Sequence, residues 1–368
     1  MPATVATGRA GGYCRGVGNS THDPTPARAA NPLPRWRGFN LPEMFLGPYD
    51  LRFADMIRSP RGRFAEDDLR WIADWGFDFV RLPLCYHWWT PDRARPSEID
   101  ERALAPIDAA IELAGRLGLH LSLCLHHAPG FCINPAPWPE PFDLWEDPAA
   151  VECFAHQWGW IARRYAHVPV ATLDFDLLNE PTGVDGRGYA SAVAPAIRAI
   201  RAAGPADRWI ISDGLDAGNT PCLDLLAMRD PRIAQSCRGY KPTPVTHYLA
   251  WWAGNTYVKP AWPQPEPAGR VFGPEELSAS FDPWRDLLSR GVGVHCGEFG
   301  CWNRTPHRVA LAWMECLLSI LAQMNVGWAL WNFRGSFGVI DSARSDVDYA
   351  DWHGLPLDRS MLDLLRRG

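Results

Sequence analysis

Two glutamates draw attention because each one ends a short apolar run that has the pattern of a buried strand. Glu180 closes the run that begins at Thr172, and Glu298 closes the run that begins at Val292. Burying an unpaired carboxylate is costly, so a glutamate at such a position is either exposed or carries a function. Two of them form a pair suited to glycoside hydrolysis, in which one carboxyl group is the acid/base and the other is the nucleophile or base.

The composition of the chain limits the classes of protein to which it can belong. The chain has 368 residues, and its apolar fraction of 47% is ample for a core. A net charge of −6 without a basic patch argues against a nucleic-acid partner. The sequence contains no secretory signal and no 18-residue apolar span, so we expect a soluble, cytoplasmic protein with no membrane partner. The oligomeric state is left open.

The ten cysteines do not have the spacing of a metal site. Cys85, Cys124 and Cys296 lie in apolar runs, as small buried hydrophobic residues do. CxxC pairs and His/Cys zinc spacings are missing from the sequence, so we expect no metal and no cofactor. A disulfide between Cys132 and another loop cysteine such as Cys301 stays open.

Residues 1–34 are rich in Ala, Gly, Thr and Pro and show no pattern that could bury a face, which predicts a disordered or extended tail. From residue 35 to residue 368, strand-like and helix-like segments alternate, and this predicts a single α/β domain, a (β/α)8 barrel. The eight predicted strands lie at 36–41, 77–84, 119–126, 172–180, 209–213, a segment ending near 247, 292–300 and 326–332.

In such a barrel the chemistry takes place on the loops that follow the strands. The third predicted strand has Leu119, Leu121, Leu123 and Leu125 on one face and His120, Ser122, Cys124 and His126 on the other. Because the leucine face packs against helices, the other face points into the barrel. His126, the last of its series, is therefore expected to point into the site.

Six short motifs follow one another along the chain at the ends of these predicted strands. They are Arg81 in VRLP, His126 in LHHAPG, Asn179 in NEP, the pair His247 and Tyr248, Glu298 in GEFG, and Trp331 in ALWN. In this order they make the chain resemble glycoside hydrolase family 5, the cellulase-A type, over about residues 35–365. The resemblance implies a retaining hydrolase of β-glycosidic bonds in a β-glucan-type saccharide, with Glu180 as acid/base and Glu298 as nucleophile.

Physical arguments give roles to the residues around the pair. A nucleophile must stay ionised, and Arg81 is the candidate for the ion pair that keeps Glu298 charged. The negative charge of Glu298 then raises the pKa of Glu180 by repulsion. Asn179 is expected to hydrogen-bond the 2-hydroxyl group of the sugar. His247 and Tyr248 are expected to orient Glu298 or the sugar.

The nineteen tryptophans predict a carbohydrate partner, because several of them fall in loops where flat rings could stack on sugar rings. Trp89 and Trp302 are candidate platforms, and Trp331 is the candidate floor of the subsite that holds the cleaved sugar. Three alternatives stay open: an exo-acting β-glycosidase on short glycosides, a metal-dependent barrel hydrolase, and a catalytically impaired barrel that only binds carbohydrate. An open groove would indicate endo action on a glucan or mannan.

Overall fold

Eight parallel strands form a closed barrel in the computed structural model, which describes residues 30–54, 56–135, 139–254 and 257–368. Each strand pairs with the next along the chain, and the last strand pairs with the first. The predicted (β/α)8 barrel is therefore confirmed. The strands are β1 (Arg37–Asn40), β2 (Phe79–Cys85), β3 (His120–Ala128), β4 (Leu173–Asp176), β5 (Ile210–Asp213), β6 (Ile233–Gly239), β7 (Gly293–Phe299) and β8 (Gly327–Leu330).

Helices surround the barrel and bury one face each against the strands. The longer ones are α1 (Glu66–Asp74), α2 (Ala105–Leu117), α3 (Pro148–Arg164), α4 (Gly186–Ala203), α5 (Asp282–Ser289), α6 (His307–Gln323) and α7 (Arg359–Arg367). Short helical segments lie at Tyr86–Trp88, Glu101–Leu104, Leu215–Gly218, Leu223–Met228, Thr243–Thr246, Pro267–Gly269 and Pro274–Ala279. Short strands outside the barrel lie at Phe131–Cys132, Gln264–Pro265, Val271–Phe272, Ala350–Trp352 and Leu355–Leu357.

Side chains alternate between the outside and the inside of the barrel, as the sequence pattern predicts. In β3, Leu121, Leu123 and Leu125 are buried in the apolar core. Ser122 points the other way and donates a hydrogen bond to Asp174 of β4 inside the barrel. Polar side chains from neighbouring strands therefore meet in the interior.

The sequence prediction is wrong about where the fourth and sixth strands end. The fourth strand is predicted to reach residue 180, but β4 ends at Asp176. The larger error concerns the sixth strand. The predicted strand ends near residue 247, but β6 ends at Gly239 and the chain then forms the helical turn Thr243–Thr246. Pro242 and Pro244 lie in this stretch and have no backbone N–H to donate to a sheet, so the strand cannot continue through them. His247 and Tyr248 consequently do not stand at a strand end.

The start of the described chain is packed against the barrel. Asn31 donates hydrogen bonds to the carbonyl oxygens of Val294, at 2.8 Å, and Asn325, at 3.0 Å. Leu33 is buried beside it. Most of the predicted tail, residues 1–29, lies outside the described residues, and the division at residue 34 stays a prediction.

Two further expectations concern cysteines and membranes. Cys132 and Cys301 do not form the disulfide that the sequence left open. Within the described ranges, every helix is too short or too polar to cross a bilayer.

Candidate active site

Arg81, in the middle of β2, organises the floor of the site. Its guanidinium group donates to Glu298 Oε1 at 2.7 Å, to Asp176 Oδ2 at 2.7 Å and to Asn179 Oδ1 at 2.9 Å. The side chain is only 1% exposed, so little water screens these contacts. The structure therefore brings together Arg81 and Glu298, the pair that the sequence analysis joined.

Arg238, in β6, is a second guanidinium group that the sequence analysis missed. Its Nε donates to Glu180 Oε1 at 3.0 Å, and its Nη2 lies 3.3 Å from Glu298 Oε1. The same side chain also donates to Asp213 and to Asn179. Arg238 follows Ser236 by two residues, and side chains two residues apart in a strand point to the same side of the sheet. The sequence therefore predicts that Arg238 points into the barrel once the bounds of β6 are known.

Glu180 lies four residues beyond the end of β4, in the loop at the carboxyl end of the barrel. Its backbone has φ 52°, in the left-handed region, and its N–H donates to Asp213 Oδ2 at 2.8 Å. Burial raises the pKa of Glu180 well above its ordinary value, the negative charge of Glu298 raises it further, and Arg238 opposes the shift. The predicted repulsion is present, but burial is the larger cause.

Glu298, in β7, is surrounded by hydrogen-bond donors. Besides Arg81, the hydroxyl group of Tyr240 donates to its Oε2 at 3.2 Å. Burial and then the charge of Glu298 raise the pKa of the Tyr240 phenol, so this phenol keeps its proton and remains a donor. Tyr240 takes the place that the sequence analysis gave to Tyr248, which does not line the cavity. The sequence analysis did not identify Tyr240 because it predicted that the sixth strand ends near residue 247 and not at Gly239.

His126 and Trp331 form one wall of the cavity. Their rings are nearly parallel, with an interplanar angle of 22° and centroids 5.8 Å apart. His126 Nε2 donates to Asn134 Oδ1 at 3.0 Å, and burial lowers the pKa of His126 to about 3. His247 also lines the cavity, and burial lowers its pKa to about 4. Both imidazoles are therefore neutral near pH 7 and serve as polar walls.

The cavity above the two carboxyl groups has a volume of about 340 Å³. A second cavity of about 440 Å³ adjoins it, since both are lined by Phe53, Met56 and Trp252. Trp302, a predicted sugar platform, lines this second cavity and not the cavity above Glu180 and Glu298.

Trp89, the other predicted platform, does not belong to either cavity. It is wholly buried in the core, and its indole N–H donates to Gln157 Oε1 at 2.8 Å. No face of its ring is available to a sugar, so the sequence interpretation of Trp89 is wrong. Trp89 directly follows the short helix Tyr86–Trp88.

Among the described residues, one group of side chains has the composition of a metal site. The ligand atoms of His87, His127 and Glu140 all lie within 4.8 Å of one another. None of these three side chains lines the cavity above Glu180 and Glu298. Glu180 and Glu298 therefore do not share a cation with them.

Comparisons with known proteins show which family the chain matches. Residues 62–336 match the model of the family described as cellulase (glycosyl hydrolase family 5). Endoglucanase C of Acetivibrio thermocellus is 26% identical over 332 residues, which cover 82% of this chain and 90% of that protein. Cellodextrinase A of Ruminococcus flavefaciens is 27% identical over 272 residues, or 71% of this chain and 76% of that protein.

Solved structures show the same similarity. A crystal structure of a glycoside hydrolase superimposes with a TM-score of 0.81 at 35% identity, covering 90% of this chain and 99% of that chain. Endoglucanase Cel5A of the hyperthermophilic Thermotoga maritima superimposes with a TM-score of 0.71 at 22% identity, covering 90% of this chain and 96% of that chain. The second likeness concerns the fold alone.

Proposed function

The chain belongs to glycosyl hydrolase family 5 and is an O-glycosyl hydrolase, and from this premise we propose that it cleaves β-glucan chains by a retaining mechanism. In this proposal Glu180 is the acid/base and Glu298 is the nucleophile. The two carboxyl groups face one cavity and contact the same guanidinium group of Arg238. A single sugar bond can therefore be reached by both.

The observation that carries this assignment is the difference between the surroundings of the two carboxyl groups. Glu298 accepts hydrogen bonds from Arg81 and Tyr240, which stabilise the carboxylate that must attack the sugar. Glu180 is held in a buried position beside that negative charge, which favours its protonated form. A pair with one ionised and one protonated carboxyl group is what a retaining glycosidase requires.

The proposed reaction has two steps. In the first, Glu298 attacks the anomeric carbon while Glu180 gives its proton to the leaving oxygen. The resulting ester removes the negative charge of Glu298, so the pKa of Glu180 falls. In the second step, Glu180 takes a proton from water while the water oxygen attacks the anomeric carbon. The ester bond to Glu298 breaks, which releases the sugar and restores the Glu298 carboxylate. Arg238 faces Glu180 throughout and stabilises the carboxylate form that the second step needs.

Asn179 is proposed to hold the 2-hydroxyl group of the sugar. Its Oδ1 accepts hydrogen bonds from both Arg81 and Arg238, which fixes the orientation of the amide. Its buried Nδ2 has no hydrogen-bond partner among the described residues. A buried donor without a partner is costly, and a substrate hydroxyl would supply the missing acceptor.

We propose endo action because the cleft continues beyond the catalytic cavity. The second cavity shares a wall with the first and carries Trp251, Trp252 and Trp302, whose rings suit the faces of additional sugar units. The name of the relative endoglucanase C supports this mode. The name of cellodextrinase A keeps short β-glucan oligosaccharides as the second candidate substrate.

The test removes the acid/base and supplies a replacement nucleophile. We expect Glu180→Ala to lose far more activity on a β-glucan oligosaccharide than on an aryl β-glycoside, whose phenolate leaves without protonation. Azide should partly restore turnover and give a β-glycosyl azide, because it attacks the glycosyl-enzyme from the face that water normally uses.

The nucleophile is tested by Glu298→Gln, which should abolish turnover on both substrates while the circular dichroism spectrum stays that of the wild type. An α-glycosyl azide from the Glu180→Ala variant would indicate single displacement and overturn the retaining mechanism. Equal losses on both substrates, with no azide product, would remove Glu180 from the role of acid/base.

A further inference from the structure

Two imidazoles and one carboxylate converge at the side of the barrel mouth. His87 lies in the short helix after β2, His127 lies near the end of β3, and Glu140 lies in the loop that follows. Their nitrogen and oxygen atoms lie close together. His127 Nε2 is 2.7 Å and His87 Nε2 is 3.0 Å from the same oxygen, Glu140 Oε1. We propose that these three side chains bind a divalent transition-metal ion, and that Zn²⁺ suits them best.

The ligand types and their spacing fit zinc. Zinc takes imidazole nitrogen and carboxylate oxygen at about 2.0–2.2 Å, and three protein ligands leave a fourth tetrahedral position for water. Ligand atoms around such an ion are about 3.3–3.5 Å apart, close to the 2.7 Å and 3.0 Å separations seen here. An outward movement of about 0.3–0.8 Å at these two contacts brings them to the spacing of zinc ligands. The ion takes the place of the two Nε2 protons, and each neutral ring then carries its proton on Nδ1.

The surroundings prepare the carboxylate for this role. The hydroxyl group of Tyr86 donates to Glu140 Oε2 at 2.7 Å, which leaves Oε1 directed at the two histidines. Outer hydrogen bonds of this kind orient metal ligands. The rings of His87 and His127 are perpendicular, at 86°, with centroids 4.9 Å apart, so their nitrogens can approach one ion without the rings clashing.

Burial and access also suit an ion. The side chains of His87 and His127 are 4% and 2% exposed, whereas that of Glu140 is 18% exposed. The histidines are thus protected from water, and an ion can enter from the side of Glu140.

The ion would act on the shape of the cleft and not on the reacting bond. It would join the ends of β2 and β3 to the loop that contains Glu140. The same loop carries Asn134, which lines the catalytic cavity and accepts the hydrogen bond of His126. Binding of the ion does not depend on the proposed glycosidase mechanism, so the two can fail separately.

The experiment measures zinc binding to the full chain after treatment with EDTA and dialysis. Zinc is titrated against a chromophoric chelator, and the melting temperature is recorded with and without zinc. His127→Gln and Glu140→Gln each remove one ligand, and His156→Gln, at an exposed position of α3, is the matched control. We expect the wild type and the control each to bind one zinc ion per chain more than His127→Gln or Glu140→Gln. The wild type and the control should also have a higher melting temperature with zinc than without it.

Tyr86→Phe provides a second measurement that leaves all three ligands in place. We expect it to weaken zinc binding about 10- to 100-fold, as the loss of an outer hydrogen bond does. If His127→Gln does not fold, as judged by circular dichroism, the partly exposed Glu140→Gln decides the question. Equal zinc stoichiometry in the wild type and Glu140→Gln, or a wild type that binds no zinc, would overturn the proposal.

Discussion

At the scale of single residues, Arg238 contacts both Glu180 and Glu298, the two carboxyl groups of the proposed mechanism. It donates to Glu180 and lies 3.3 Å from Glu298, while Asp213 accepts from its other side. The positive charge of Arg238 lowers the pKa of Glu180 and so opposes the rise that burial causes. In the proposed mechanism, Arg238 therefore limits how strongly Glu180 holds its proton.

This position of Arg238 predicts a change in the pH profile. Without the positive charge, the pKa of Glu180 rises further, so the protonated acid persists to higher pH. We expect Arg238→Gln to move the basic limb of kcat/KM upward by at least about one pH unit, with a lower kcat. The measurement is a pH–rate profile on an aryl β-glycoside. Arg238→Lys is the control, because it keeps the charge and should keep the basic limb near that of the wild type.

A basic limb that is the same in the Gln and Lys variants would show that charge at this position does not act on Glu180. Both variants are checked by circular dichroism, because removing one member of a buried ion pair costs about 3–5 kcal/mol of stability.

The sequence could predict the residues whose position depends on one strand alone. Glu298, Arg81 and His126 follow from alternation in a strand and from short motifs, and the structure places all three at the site. Arg238 and Tyr240 could not be found in this way, because their place depends on where β6 stops pairing with its neighbours. Pro242 and Pro244 set the end of β6, because proline has no backbone N–H for pairing in a sheet. The pattern of the neighbouring residues alone predicts a longer strand.

At the scale of elements, the loops above the barrel decide the shape of the cleft. A small apolar cluster joins the β1–α1 loop to the loop after β8; its buried members are Phe45, Leu46, Phe53, Met56, Ile57, Trp331 and Phe337. Trp251, from the loop after β6, stacks on Phe53 with centroids 5.0 Å apart and an interplanar angle of 24°. Strand alternation predicts the barrel but not these contacts, because loop packing joins residues far apart in the sequence.

The exposed ring of Trp251 predicts a dependence on substrate length. It lines the second cavity and is 62% exposed, so a long β-glucan oligosaccharide can reach it and a short aryl glycoside cannot. We expect Trp251→Ala to raise KM about 3- to 10-fold for the long substrate, the effect of losing one stacking contact, and to leave KM for the short substrate nearly unchanged. Steady-state kinetics on both substrates provide the measurement.

Trp160→Ala, which changes a tryptophan on α3 outside both cavities, is the control for general effects of losing an indole ring. A KM that rises equally on both substrates in Trp251→Ala would mean that the second cavity does not bind the chain.

At the scale of the whole molecule, a buried carboxyl group links stability to pH. Glu43 is 2% exposed; Ser59 donates to its Oε1 at 2.6 Å, and its Oε2 has no hydrogen-bond partner among the described residues. Burial raises the pKa of Glu43 to about 8. Between the ordinary pKa of the unfolded chain and this value, the folded protein holds a proton that the unfolded chain has released. The free energy of unfolding therefore falls as pH rises through this window.

Replacing the carboxyl group by an amide removes this linkage. We expect Glu43→Gln to melt near the wild type at pH 4.5 and to be more stable than the wild type at pH 9, by a few kcal/mol. Thermal unfolding measured at both pH values tests this. Glu98→Gln, at an exposed position, is the control and should follow the wild type at each pH. Parallel pH profiles of the wild type and Glu43→Gln would contradict the prediction.

The backbone of Glu180 has a consequence for how the chain can evolve. A residue with a side chain in the left-handed region, here at φ 52°, carries a conformational cost of about 1–2 kcal/mol. Glycine at this position would avoid most of that cost, and it would also remove the proposed proton donor. Selection for stability alone would thus favour losing the residue that the proposed mechanism uses as its acid/base. In the proposed mechanism, the activity of the enzyme is what retains a glutamate at this position.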